Sequence, residues 1–366
     1  MRSNAARTSL TLAVECSRLA YDVRGIGRYV RALLPRLASQ REELRLIPFA
    51  RRRGELDALR ASVAVLGVPS DRCEVRLFDE LHAGAADLWW YPWNVARPTP
   101  RVGTVVATMQ DVAPLALPDP RRTKWLQNRR WRRLYRATAT RAEMLLTISR
   151  FTAREIEHNL GVAPSRIRVT PLAADDLAIP NPGRDTEALA RLGVRSPYVL
   201  AINANDRRKN LALLDRAMPH VAELLPSAKL VMVGPRHADD GSAEPEWRQS
   251  VGFVSDDDLA SLYRRARAVV VPSLYEGFGL PVLEAMRLGA PVICARTSSL
   301  PEVAGDAGLY VSPTDERQLA LAIVQLMTNN DLHTSLQRAG LERAKQFSWD
   351  ETARLTLAAF DAALGR

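Results

Sequence analysis

Two glutamates, Glu276 and Glu284, flank the turn Gly277-Phe278-Gly279 and Pro281 in the stretch SLYEGFGLPVLEAMRLGAPV, residues 273–292. The turn leads out of an apolar run, AVVVPS, into a helical pattern with Pro281 near its first position and Gly289 at its end, the places these residues favour. Backbone N–H groups from Gly277 to Leu280 then lie at an unsatisfied helix N-terminus, which attracts phosphate oxygens. Two carboxylates beside that seat would repel a bare phosphate, so a ligand carrying hydroxyls on either side of its phosphates is implied. A nucleoside diphosphate sugar has that shape. Glu276 on the loop can reach one end and Glu284, one turn into the helix, the other, because carboxylates accept hydrogen bonds from paired hydroxyls well. In a plainer reading, Glu284 only complements the helix dipole and Glu276 is a turn residue.

A second charged turn, NANDRRKN at residues 203–210, follows the apolar run YVLAI and offers Arg208 and Lys209. Read alone, it is as readily a solvated turn as a clamp for a diphosphate.

Elements that could position these groups recur along the chain. In the first half, strand patterns fall at LTLAVE, LRLIPFA, EVRLFD, TVVATMQD, MLLTIS and IRVTPLA, separated by helical patterns such as GRYVRALLPRLAS. In the second half, YVLAINA, KLVMVG, AVVVPS, PVICA and GLYVS alternate with NLALLDRAMPHVAELL, DDLASLYRRARA and LPVLEAMRLG. Near-continuous apolar strands alternating with helices predict parallel sheets covered on both faces, hence two doubly wound α/β domains. Ligands of such folds bind beyond the carboxyl ends of the strands, which predicts a central cleft. The expected division is residues 1–180, residues 181–346 and a closing helix over 347–366 that packs back on the first domain. AIPNPGRDT, residues 178–186, reads as the linker.

Length and composition agree with this plan. A chain of 366 residues suits two domains of roughly 150 to 200 residues. No apolar run approaches the length needed to span a bilayer and the N-terminal stretch meets charge too soon for a secretory signal, so a cytoplasmic protein is expected. Cys16, Cys73 and Cys294 are odd in number and lie far apart, and the five histidines have no metal spacing. Asp256, Asp257 and Asp258 read as a helix cap and first-turn charges rather than as a metal site.

The net charge of +10 is unevenly divided: residues 1–180 hold 30 Lys and Arg against 18 Asp and Glu, residues 181–366 hold 21 against 23. The excess peaks between Arg121 and Arg141, with nine basic residues and no acidic one. Such a run is either a solvated helix face or a surface for an anionic partner: a lipid diphosphate, an acidic membrane or a nucleic acid.

PSLYEGFGLPVLEAMRLGAPVI resembles the signature of the retaining family 4 glycosyltransferases of the GT-B fold, a bacterial-type group 1 sequence in which two glutamates with seven residues between them bracket a glycine turn. VGFVSDDDLASLYRRARAVVVPS, SSLPEVAGDAGLYVSP and FSWDETA are similar to that family too, as are GIGRYVRALLPRLA, DVAPLALPDP and LLTISRFTAREI in the first half. The resemblance implies two Rossmann-like domains and transfer of a hexosyl unit, with a lean to mannosyl, from a nucleoside diphosphate sugar. It implies Glu284 at the donor ribose, Glu276 at the transferred sugar, and Gly277, Phe278, Gly279 and Leu280 against sugar and diphosphate through their backbone. Lys209 and Arg208 would neutralise the diphosphate. No metal and no further cofactor is implied.

Two departures stand out. The family's histidine before Asp111 is Gln110 here, which can hydrogen-bond a hydroxyl but cannot carry a proton. An arginine that many members place before the lysine is replaced by Asn205, leaving Arg208 as substitute. Gly25 and Gly27, in RGIGRYV, lack the third glycine and the acidic partner of a dinucleotide site; the resemblance places them, with Gln110 and Asp111, on the cleft or acceptor side. The expected partners are a sugar nucleotide, a saccharide or polyprenyl-diphosphate-linked acceptor of cell-envelope polysaccharide synthesis, and an acidic inner-membrane face met through Arg121 to Arg141. The competing readings are a nucleotide-sugar epimerase on the same fold and a basic nucleic-acid-binding protein; the latter lacks a recognisable binding module, and no nucleic acid is expected. The aromatics of DLWWYPWN, residues 87–94, serve core packing or sugar stacking.

Overall fold

The computed structural model describes residues 9–22, 25–118, 124–177, 182–202, 206–235 and 244–366. The chain divides into two units, Met1–Leu172 joined by Trp349–Arg366, and Ala173–Ser348.

In the first unit the strands are β1 (Leu10–Glu15), β2 (Leu44–Ala50), β3 (Arg76–Leu77), β4 (Leu88–Tyr91), β5 (Thr104–Met109), β6 (Met144–Thr147) and β7 (Ile167–Val169). They form one sheet of order β3-β2-β1-β4-β5-β6-β7, parallel at every pairing. Its helices are α1 (Ile26–Gln40), α2 (Leu56–Ala64), α3 (Ala113–Ala116), α4 (Trp125–Arg141) and α5 (Arg150–Leu160).

The second unit carries β8 (Tyr198–Ile202), β9 (Lys229–Val233), β10 (Arg248–Gly252), β11 (Ala268–Val271), β12 (Val292–Ala295) and β13 (Gly308–Val311), again all parallel, in the order β10-β9-β8-β11-β12-β13. Its helices are α6 (Pro182–Arg191), α7 (Leu211–Leu224), α8 (Asp256–Arg265), α9 (Leu280–Arg287), α10 (Leu300–Ala304), α11 (Glu316–Thr328) and α12 (Asn330–Ala344). The closing helix α13 (Trp349–Ala363) belongs to the first unit, where it lies on α1. In both sheets β-branched and aliphatic strands are buried on both faces, as in VVV of β11 and VIC of β12, the pattern of parallel sheets covered on either side.

Two strands were not foreseen. β4, LWWY, is fully buried, and of the two uses expected for these aromatics, core packing or sugar stacking, they serve the core: Trp89, Trp90 and Tyr91 are at most 1% exposed. Trp90 meets Tyr29 of α1 and Phe360 of α13 edge-on at 5.8 and 5.7 Å between centroids, a geometry aromatic rings favour. β10, RQSVG, is partly exposed along its length at the sheet edge and too polar to register as a strand pattern. The stretch read as a linker continues into α6, whose first residue, Pro182, needs no N–H partner; residues 178–181 lie outside the described set.

In each sheet the strand order reverses once, between β1 and β4 in the first and between β8 and β11 in the second. Loops leaving adjacent strands there diverge and leave room beyond the carboxyl ends, the place where α/β folds build sites.

Candidate active site

At the reversal in the second unit, β8 and β11 deliver two turns side by side. After β8, the Asp206 carboxylate accepts from Arg208 N–H at 2.9 Å and caps a short 3-10 turn, Arg207–Lys209. Asn210, at φ 54°, a left-handed conformation that asparagine tolerates, turns the chain into α7. Its amide donates to Pro272 O at 3.0 Å and Pro313 O at 2.8 Å, and Leu274 N–H donates to Arg208 O at 2.7 Å. These bonds tie the first turn to the one after β11. As a result the Lys209 ammonium donates to Glu276 Oε1 at 2.7 Å, with side chains 22% and 12% exposed. The Ser273 hydroxyl donates to the same oxygen at 2.7 Å.

The Glu276 backbone is held as firmly as its side chain. Its N–H donates to Ser298 Oγ at 3.0 Å, and Ser299 Oγ, fully buried, donates to the carbonyls of Glu276 and Phe278 at 2.8 Å each. Both serines sit on the loop after β12, the neighbour of β11. Ser298 holds φ at 51°, a conformation costing a non-glycine residue of order 1 kcal/mol and kept only where surroundings impose it.

Gly279 then opens α9 at φ 104°, and no side chain caps that end. A Cβ on Gly279 would lie 2.7 Å from Leu300 Cδ2, so only glycine fits this approach of turn to α10. Phe278 is 3% exposed and packs edge-on against Phe347 at 5.8 Å, leaving its backbone as the part that can meet a ligand. Glu284 stands in the second turn of α9 and accepts from the Tyr263 hydroxyl at 3.0 Å.

Arg208 points elsewhere than Lys209. Its Nε donates to Asp206 Oδ2 at 2.8 Å, so its charge is engaged within its own turn. Burial raises the Asp206 carboxyl, but the Arg208 hydrogen bonds and charge outweigh it and hold the group below the usual carboxylate range. Asn205 lies outside the described residues. Asp256, Asp257 and Asp258 are the first turn of α8, with Ser255 rather than an aspartate as its cap.

Gly25, Gly27, Gln110 and Asp111 belong to the first unit. Gly25, at φ 58°, precedes α1; a Cβ on Gly27 would lie 1.7 Å from Asp22 O, so the loop closes over it as only glycine allows. Gln110 follows β5, its N–H donating to Asn94 Oδ1 at 2.6 Å from the loop after β4. It is 7% exposed, and its side-chain Nε2 is buried without a protein partner, a costly arrangement that asks for a hydrogen-bond acceptor. Asp111 Oδ1 accepts from Ala113 N–H at 3.1 Å at the start of α3.

Sequence reasoning missed several contributors: Tyr263, Ser273, Ser298 and Ser299, and in the first unit Glu15. The Glu15 carboxylate is fully buried at the end of β1; burial pushes it up, against the pull of Arg51, 3.1 Å away, and of Ser17. Only the loop after β12 left a trace in the sequence, as a Ser-Ser pair between a buried strand and a short helix. Among the described residues, no group of three or more His, Cys, Asp or Glu side chains could hold a metal ion, and no helix is long and apolar enough to cross a membrane.

Two parallel-sheet Rossmann-like units, the second with a charged turn facing a Glu-Gly-Phe-Gly helix start, define a glycosyltransferase of the GT-B class. The sequence profile described as "Glycosyltransferase Family 4" matches residues 23–176, and that described as "Glycosyl transferases group 1" matches residues 196–329. The chain is 30% identical to the O-antigen chain mannosyltransferase B of Escherichia coli, over 93% of this chain and 97% of that one. It is 31% identical to the MMP alpha-(1->4)-mannosyltransferase of Mycolicibacterium hassiacum, over 65% of this chain and 59% of that one. Among solved structures, Anabaena Alr3699/HepE in complex with UDP-glucose has a similar fold, with a TM-score of 0.73 at 16% identity over 96% of this chain and 100% of that one. The protein belongs to glycosyltransferase family 4, group 1, and is a glycosyltransferase. The resemblance and the fold class read from the sequence are borne out, and the epimerase and nucleic-acid readings are not favoured.

Proposed function

We propose that the protein moves a mannosyl unit from a nucleoside diphosphate sugar to a saccharide or polyprenyl-diphosphate-linked acceptor in cell-envelope polysaccharide synthesis. The observation that carries this reading is the 2.7 Å contact of Lys209 with Glu276 at the uncapped start of α9, with Glu284 one turn further on. The two relatives of similar sequence are both mannosyltransferases acting toward different products, which supports the sugar more than the acceptor.

In this reading the diphosphate lies against the backbone of Gly277, Phe278, Gly279 and Leu280, with the ribose at Glu284 and the sugar at Glu276. Breaking the sugar–phosphate bond builds negative charge on the departing diphosphate and positive character on the sugar ring. Lys209 and the α9 N-terminus stabilise the first, and Glu276 the second, as groups oriented before the reaction begins. Glu276 holds Lys209 by its ammonium, so the lysine is placed without spending rotamer freedom when the diphosphate arrives. Arg208 and Asn205 complete the donor side, and no metal ion is required. Gly25, Gly27, Gln110 and Asp111 serve the cleft or acceptor side, with the Gln110 amide donating to a substrate hydroxyl.

The acceptor is met at the inner membrane face. Helix α4 supports this: Arg129, Arg130, Arg132, Arg133 and Arg136 are exposed, and Trp125 and Leu126 stand 57% and 72% exposed beside them. Basic residues near an acidic bilayer contribute about 1 kcal/mol each, and exposed Trp and Leu suit the interface. Sedimentation with phosphatidylglycerol vesicles, and not with phosphatidylcholine vesicles, is the expected result; equal behaviour with both would remove the membrane from the proposal.

The donor is tested by thermal shift against GDP-mannose, UDP-glucose and dTDP-glucose, since a ligand that binds only the native state raises its stability. GDP-mannose is expected to raise the melting temperature and to be consumed in EDTA. Turnover of another sugar nucleotide with none of GDP-mannose would overturn the mannosyl reading.

A further inference from the structure

Two buried tyrosines of the second unit solve the same problem differently. A phenol taken out of water must find a partner for its hydroxyl. Tyr198, on β8, donates to a backbone carbonyl, Leu262 O, at 2.7 Å, which satisfies it and has no bearing on any side chain. Tyr263, one residue further along α8 and 1% exposed, donates instead to Glu284 Oε2 on α9 at 3.0 Å. The carboxylate of Glu284 thus has one oxygen bonded from within the core.

The last torsion of a glutamate is broad, so an unrestrained carboxylate samples many planes. A bond from a rigid, buried ring to one oxygen selects one of them. α8 is itself fixed: Ser255 caps its start, accepting from Asp258 N–H at 3.1 Å, and Arg264, next to Tyr263, pairs with the buried Asp185 of α6 at 2.9 Å. The ring cannot drift from α9 without breaking these anchors.

We propose that Tyr263 is a positioning residue that sets the plane of the Glu284 carboxylate for a ribose hydroxyl of the donor nucleotide, and so makes the site prefer ribonucleotides to deoxyribonucleotides. The inference rests on the reading of Glu284 as the ribose end. It adds a consequence for donor choice: the Tyr263–Glu284 pair disfavours donors whose nucleoside lacks the hydroxyl that Glu284 holds.

The test is calorimetric titration of the full chain with GDP and UDP and with their 2′-deoxy and 3′-deoxy forms, in wild type, Tyr263→Phe, Glu284→Ala and the double variant. Tyr263→Phe keeps the ring and its packing, and the melting temperature confirms that it folds. It is expected to weaken the ribonucleotide that binds by about three- to tenfold, the scale of one hydrogen bond. It should leave unchanged the deoxy form lacking the hydroxyl that Glu284 holds. In turnover, KM for the donor should rise by the same factor with kcat within about twofold, a split that a general loss of packing would not give. In the Glu284→Ala background, Tyr263→Phe should have no further effect. Equal weakening of ribo and deoxy forms by Tyr263→Phe, or no weakening of either, overturns the inference while leaving Glu284 in place. Retention of the ribo preference in Glu284→Ala shows instead that the ribose reading of Glu284 is wrong, and the inference falls with it.

Discussion

The two units share an architecture and differ in what they place at the same point of it. Each has a parallel sheet whose strand order reverses once, and each brings loops from adjacent strands together beyond that reversal. In the second unit the loops carry opposite charges, and Lys209 meets Glu276 at 2.7 Å. In the first unit the loops after β4 and β5, next to the reversal, carry amides: the Gln110 backbone is bonded to Asn94, and the Gln110 side chain keeps a buried N–H for something else, while the end of β1 at the reversal itself holds the buried Glu15 paired with Arg51. A charged pair brings net charge to bear on charge that develops during a reaction, whereas a neutral amide brings only a dipole and here offers an N–H suited to a hydroxyl. The same topology therefore supplies, in the proposed reading, a reacting half and a recognising half.

The sharpest way to break the second unit apart from the first is through its scaffold. Asp185 of α6 is buried against Arg264 of α8, and removing one partner of a buried pair costs about 3 kcal/mol or more. Asp185→Asn should lower stability by about that much at pH 7, read as urea unfolding followed in the second unit. Burial raises the Asp185 carboxyl, but its bonds to Arg264 and Ser261 outweigh that and hold it below the usual range. The stabilisation is thus complete above the ordinary carboxylate pKa and is lost as pH falls through the depressed one. The difference between variant and wild type should shrink as pH is lowered below about 4.

Within the first unit, Trp90 Nε1 donates to Thr108 Oγ1 at 2.8 Å in a fully buried setting. Thr108→Val keeps the shape and orphans that N–H, so a loss of about 1–3 kcal/mol is expected in the first unit, with the Lys209 turn untouched. For the charged site, Glu276→Gln and Lys209→Ala should each lower turnover at least about tenfold, or about 1.4 kcal/mol of transition-state stabilisation. Near wild-type rates in either would erase the distinction between the halves. The smallest effect on stability is expected at α4: Arg132→Glu with Arg133→Glu should change the unfolding free energy by less than about 0.5 kcal/mol, because both side chains are exposed, while abolishing vesicle sedimentation.

Much of the site was legible because it is local. Glu276, the glycine turn and Glu284 lie within nine residues, and the switch from a buried strand to a helix start is written in AVVVPS followed by a glycine turn and Pro281. The DRRKN turn carried its charges openly but not their partners. Lys209 and Arg208 are neighbours of the same sign, yet one faces Glu276 and the other Asp206. β4 was passed over because its Trp-Trp-Tyr run reads as an aromatic cluster, for packing or stacking, before it reads as a strand, and β10 because an exposed edge strand has no apolar signature.

The sequence by itself determined the alternation of strands and helices, the family, and the two carboxylates around a helix start, since each depends on residues close together in the chain. The tertiary structure decided which distant groups hold them. Sheet order sets β8 and β12 on either side of β11, so Lys209, 67 positions from Glu276, and Ser298, 22 positions away, converge on it. It also sets α8 against α9, so Tyr263 meets Glu284 across 21 positions. Such pairings follow from strand adjacency and helix packing, and no spacing along the chain encodes them.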